Sequence, residues 1–131
     1  RRLGFAGTIA PHKGLHILLE AVKDIPEDFT LNIFGKIGNE QYLNRWKGLI
    51  NNKRIFYKGE EHSQKLMYAS IDILIVPSLW EETYGIVIDE AYRAKIPVIA
   101  SRIGGIPEHI VEGKSGYLFE AGNSDELRDR I

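Results

Sequence analysis

Two carboxylates, Glu82 and Glu90, are separated by seven residues within Pro77-Ser78-Leu79-Trp80-Glu81-Glu82-Thr83-Tyr84-Gly85-Ile86-Val87-Ile88-Asp89-Glu90-Ala91. The apolar run Ile73–Val76 ends at Pro77, and from Gly85 onward Ile86, Val87, Ala91 and Ala94 recur at helical spacing. The pair therefore straddles a strand-to-helix turn. Helix electrostatics accounts for Glu82, since a carboxylate before the first turn gains roughly 0.3–1 kcal/mol from the helix dipole. It does not account for Glu90, which falls in the second turn among residues expected to pack, where an unpaired carboxylate is costly. Ionised carboxylates only accept hydrogen bonds. A vicinal diol such as a ribose would satisfy Glu90, and the backbone N–H groups of Gly85 and Ile86 could approach an anion across the light Thr83–Ile86 turn.

A second group with chemical potential is Gly7-Thr8-Ile9-Ala10-Pro11-His12-Lys13-Gly14, between an apolar strand-like run and an amphipathic stretch. Backbone N–H groups at the following helix and the Lys13 ammonium could converge on a phosphate. The order Lys-Gly is not that of a Walker A loop, and Gly35-Lys36-Ile37-Gly38 lacks the middle glycine of a dinucleotide fingerprint. Taken alone, a lysine in a turn is a solvated surface charge; its place on the same sheet end as the glutamates favours a binding role. A third turn, Ser101 to Glu108, carries Gly104 and Gly105 and then Pro107, which suits the opening of a helix.

His12, His16, His62 and His109 show no metal-ligand spacing, and there is no cysteine, so no metal site is expected and the histidines read as ordinary surface or core residues. Trp46 and Trp80 fit core packing better than a base-stacking platform.

These residues need elements to position them. Strand-like runs at Leu3–Ala6, Leu31–Phe34, Ile55–Tyr57, Ile73–Val76, Val98–Ala100 and Tyr117–Phe119 alternate with amphipathic stretches. Helices are expected around 15–22, 43–50, 65–69, 85–94, a turn near 107–111, and a last helix from Ser124. Repeated βα units with buried β-branched strands predict an α/β, Rossmann-like doubly wound parallel sheet of about six strands, in the order 3-2-1-4-5-6. Right-handed crossovers then put every βα turn at the carboxyl ends of the strands, where such sheets bind ligands.

The chain has 131 residues, 44% of them hydrophobic, which is the scale of one globular domain. A formal charge of −1 with scattered basic residues argues against nucleic acid as a partner. No apolar stretch is long enough to span a bilayer, and the absence of cysteine fits a reducing compartment. The expected organisation is a single domain over residues 1–131, cut at both ends from a longer protein.

The ordered set of motifs resembles the C-terminal, donor-binding half of GT-B glycosyltransferases, specifically the retaining family 4. It comprises Gly7 through Lys13-Gly14, Gly59, Pro77-Ser78, the Glu82/Glu90 element, Pro97-Val98-Ile99-Ala100, Gly104 through Glu108, and Gly113 to Gly116-Tyr117-Leu118. The resemblance covers nearly the whole chain. It implies donor contacts from Gly7, Thr8, Lys13, Glu82, Thr83, Tyr84, Gly85, Ile86 and Glu90. Of these, Lys13 would meet the diphosphate, Glu90 the ribose, and Glu82 the donor sugar or the reacting centre, with Glu82 and Lys13 catalytic. Departures are Thr8, where many members have arginine, Thr83 in place of glycine, and Lys95 in place of a helix-ending glycine. A left-handed Lys95 would carry strain of order 1 kcal/mol.

The same resemblance implies a UDP-, GDP- or ADP-sugar as donor substrate, no cofactor and no metal. The leaving diphosphate would be stabilised by a cation and helix N-termini. It also implies an N-terminal acceptor-binding domain in the same protein, so this chain alone would bind without turnover. The complete protein would be cytoplasmic, with room for peripheral association at the cytoplasmic face of a membrane. Two other readings stay open: a GT-B sugar-nucleotide 2-epimerase, and a non-catalytic nucleotide-sugar-binding domain.

Overall fold

The computed structural model describes residues 1–26, 28–50, 53–80 and 86–131. Six strands, β1 (Arg2–Ala6), β2 (Thr30–Phe34), β3 (Ile55–Gly59), β4 (Ile73–Val76), β5 (Val98–Ser101) and β6 (Gly116–Phe119), form one sheet. Its order is β3-β2-β1-β4-β5-β6 and each pairing is parallel, as expected for a doubly wound α/β sheet. The helices are α1 (Leu15–Val22), α2 (Glu40–Trp46), α3 (Gln64–Ala69), α4 (Ile86–Arg93) and α5 (Ser124–Arg130). Pro107, the expected helix opener, lies in a short 3-10 turn, Ile106–His109.

Side-chain alternation along the strands explains the two-faced core. Leu3, Phe5, Leu31, Ile33, Ile75, Ile99 and Phe119 point to one face, where they pack with Leu18 and Leu19 of α1, Tyr42 of α2 and Leu127 of α5. Their neighbours Phe34, Leu74, Val76, Val98, Ala100 and Leu118 point to the other, against Met67 and Tyr68 of α3 and Ile88 and Ala91 of α4. Both faces being buried is what the near-continuous apolar strands require.

Local signals set the helix starts. Asn39, Ser63 and Asn123 each accept a backbone N–H three residues on, from Tyr42, Leu66 and Glu126. The end of α4 is unusual. Ile96 N–H bonds the Ala91 carbonyl and Lys95 N–H the Tyr92 carbonyl, a Schellman arrangement that forces Lys95 to φ 61°. The left-handed conformation, whose strain the family pattern raised as a condition, is the one that Lys95 adopts. Among the described residues no helix is long and apolar enough to cross a membrane.

Candidate functional site

The turn after β1 and the turn after β5 both leave the carboxyl end of the sheet, and the segment after β4 leaves with them. Backbone contacts tie them together. Leu79 N–H donates to the His12 carbonyl at 2.9 Å, and the Ser101 hydroxyl donates to the Ser78 carbonyl at 2.7 Å. Ser78 and Ser101 are buried, so these bonds fix the chain leading from β4 toward α4.

The turns after β1, β2 and β3 interlock in the same way. Gly7 N–H bonds the Phe34 carbonyl and Ile9 N–H the Lys36 carbonyl, each at 2.9 Å, while Tyr57 donates to the Gly35 carbonyl at 2.7 Å. Gly35 has φ 146°, and a β-carbon there would stand 1.7 Å from the Gly7 carbonyl oxygen. Only glycine permits that approach.

A cleft of about 250 Å³ opens between these turns, lined by Ala6, Gly7, Thr8, Phe34, Gly35 and Lys36, with Glu60, Glu61, His62, Met67 and Val87 closing its far side. Its floor is apolar, since Phe34 and Met67 are buried, and its rim is polar. Gly7 and Thr8 line it directly. The stem of Lys13 runs alongside: Lys13 Cδ lies 3.9 Å from where a Gly7 β-carbon would be. Lys13 ends the 3-10 turn Pro11–Lys13, immediately before Gly14 and α1.

Glu90 lies in the second turn of α4, one turn beyond Val87 of the cleft wall. The expectation of a buried, unpaired carboxylate is corrected here. Glu90 is half-buried, and α3 supplies donors to both its oxygens: Tyr68 Oη reaches Oε1 at 3.2 Å and Gln64 Nε2 reaches Oε2. Tyr68 also contacts the Val87 carbonyl at 3.1 Å. Burial first, and then the Glu90 charge, hold the Tyr68 hydroxyl well above the ordinary phenol range. Gln64 and Tyr68 were missed in the sequence. Their four-residue spacing puts them on one helical face, but the carboxylate they serve is remote in the chain.

Ile86 opens α4 and is 64% exposed. Glu82, Thr83, Tyr84 and Gly85, all expected at the site, lie outside the described residues. Trp80 corrects another expectation: it is 68% exposed and not core, with its ring 5.0 Å from that of His12. The buried backbone of the preceding residues carries it outward. Trp46 is half-buried and packs on the core beside His16.

His16 is more specific than a generic surface residue. Its backbone N–H donates to Tyr42 Oη at 2.8 Å, and that hydroxyl lies 2.6 Å from His16 Nδ1. With the N–H as donor, the hydroxyl proton is free to go to Nδ1, which makes the imidazole an acceptor. Burial, and then nearby Arg45, lower the His16 pKa; burial pushes Tyr42 up to about 12. The pair joins the first turn of α1 to α2.

A family profile described as glycosyl transferases group 1 matches residues 1–131. An uncharacterized glycosyltransferase of Methanocaldococcus jannaschii is 32% identical over 97% of this chain and 36% of its own length. The crystal structure of Anabaena HepE in complex with UDP-glucose superposes with a TM-score of 0.91 at 28% identity, over 98% of this chain and 37% of that one. The C-terminal domain of a group 1 glycosyl transferase family protein from Francisella tularensis gives a TM-score of 0.77 at 27% identity, over 98% of this chain and 71% of that one. The chain thus spans roughly a third of the length of the curated relative it matches.

Proposed function

The chain belongs to the glycosyl transferases group 1 family, and from that premise we propose that it is the C-terminal, donor-binding domain of a retaining, family 4 GT-B enzyme. The observation that carries this is the convergence, around one cleft at the carboxyl end of the sheet, of the Gly7–Thr8 turn, the Lys13 stem and the α4 wall that leads to Glu90. The likeness to a protein solved with UDP-glucose supports a nucleotide-sugar as the ligand.

In this reading a UDP-, GDP- or ADP-sugar lies across the cleft. Lys13 and the amino end of α1 neutralise the diphosphate, Glu90 accepts from the ribose hydroxyls, and Glu82, with the Thr83–Ile86 backbone, holds the donor sugar. As the sugar leaves, charge grows on the departing diphosphate, and a cation with preoriented N–H groups stabilises it without a divalent metal. A second Rossmann domain of the same protein supplies the acceptor site. The match to a relative along about a third of its length, and to a protein described as a C-terminal domain, supports that organisation.

Calorimetry of the chain with UDP, GDP and ADP, with and without EDTA, tests the reading. Weak, chelator-insensitive binding of at least one is expected, because half the cleft is supplied elsewhere and fewer contacts offset the cost of ordering the ligand. Absence of binding to all three overturns it, and binding that vanishes on chelation overturns the metal-free assignment.

A further inference from the structure

We infer that Tyr68 and Gln64 of α3 are positioning residues for Glu90, orienting its carboxylate so that its two remaining acceptor directions match a ribose diol. The inference rests on the assignment of Glu90 to the ribose and goes beyond it by naming what holds that carboxylate.

The geometry is two-sided. Tyr68 Oη donates toward Oε1 at 3.2 Å, and Gln64 Nε2 donates to Oε2. A carboxylate offers roughly four acceptor sites. With one on each oxygen occupied from α3, one on each oxygen is left, and two acceptors held side by side suit two vicinal hydroxyls. A glutamate side chain without such partners rotates about three bonds, and fixing it only when ligand arrives loses affinity to side-chain entropy.

The partners differ in a useful way. Tyr68 is buried at 4% exposure, and its single hydroxyl proton is shared between Glu90 Oε1 and the Val87 carbonyl, 3.1 Å away. Its ring therefore cannot swing off Glu90 without breaking core packing. Gln64 is exposed and adds the second donor from one helical turn earlier. The intervening Met67 forms part of the cleft lining, so α3 both lines the cleft and holds the Glu90 carboxylate, one helical turn beyond the cleft residue Val87. A core tyrosine with a purely structural task needs one partner for its hydroxyl. Here the one hydroxyl proton is shared between Val87 and Glu90, and the charged carboxylate is the stronger of the two acceptors.

The test compares the tightest binder among UDP, GDP and ADP with its 2′,3′-dideoxy analogue, on the wild-type chain, Tyr68→Phe, Gln64→Leu and Glu90→Gln. The quantity read is the ratio of the two dissociation constants, which isolates diol recognition. Each α3 variant is expected to bind the ribonucleotide about three- to tenfold more weakly, with little change for the dideoxy analogue. Loss of the preference in Glu90→Gln but not in either α3 variant overturns the inference and leaves the ribose assignment standing. An unchanged preference in Glu90→Gln removes both, as does failure of all three diphosphates to bind. Equal weakening of both ligands by Tyr68→Phe marks the tyrosine as structural and likewise overturns the proposal.

Discussion

Gly14 abuts the backbone of Pro77: a β-carbon at Gly14 would stand 1.8 Å from the Pro77 carbonyl oxygen, and the glycine itself has φ 76°. The turn that carries Lys13 is thereby pressed onto the segment that leads from β4 to α4. Gly14→Ala meets two penalties at once, a left-handed backbone and a backbone clash that no rotamer relieves. It should destabilise by roughly 3 kcal/mol or more, at the upper end of point-mutant effects. Urea denaturation measures this, and a loss below about 1 kcal/mol would show that the two turns separate readily.

Lys95 offers the opposite experiment. Its φ of 61° is imposed by the Schellman bonds at the end of α4. Lys95→Gly removes the strain of a side chain in that region and should stabilise by about 1 kcal/mol, despite the entropy glycine adds to the unfolded chain. Thermal denaturation reads the sign directly, and a destabilised variant would mean that the lysine side chain contributes more than its backbone strain costs.

Lys13 and Glu82 should separate by ligand. Lys13→Ala is expected to weaken a nucleoside diphosphate by about 1–3 kcal/mol and the free nucleoside hardly at all, since the lost interaction is with charged phosphate. Glu82→Gln is expected to leave diphosphate affinity nearly unchanged and to lower turnover of the complete enzyme. Identical behaviour of Glu82→Gln and Glu90→Gln across nucleoside, diphosphate and nucleotide-sugar would dissolve the division of roles.

The His16–Tyr42 pair makes stability pH-dependent. Burial lowers the folded-state pKa of His16 below its ordinary 6.5. The unfolded state therefore binds the proton first, so this contribution is complete above pH 6.5 and is lost as pH falls through the lower folded value. His16→Gln keeps an acceptor for the Tyr42 hydroxyl and removes the titration. Its urea midpoint should fall less than the wild-type midpoint between about pH 7 and pH 5. Parallel curves for the two proteins would place the acid sensitivity elsewhere.

Much of this molecule is legible in its sequence because the signals are local. Short continuous apolar runs such as Ile73–Val76 and Val98–Ala100 mark strands buried on both faces, and the rules of handedness and crossover turn six alternating βα units into one strand order. The same rules bring the Lys13 and Gly104 turns to one end of the sheet. The family pattern marked Lys95 as a non-glycine at a helix end, and the Schellman bonds decided that it is left-handed.

Tertiary structure decided what depends on partners remote in the chain. Glu90 reads from sequence as a carboxylate in want of a ligand, yet Gln64 and Tyr68 reach it across 26 and 22 residues. Trp80 reads as core, yet the buried Ser78–Ser101 anchor carries it into solvent at 68% exposure. Propensity and periodicity report how a residue relates to its own element. Which hydroxyl or carbonyl meets it from another element is fixed only when packing sets the distance between them.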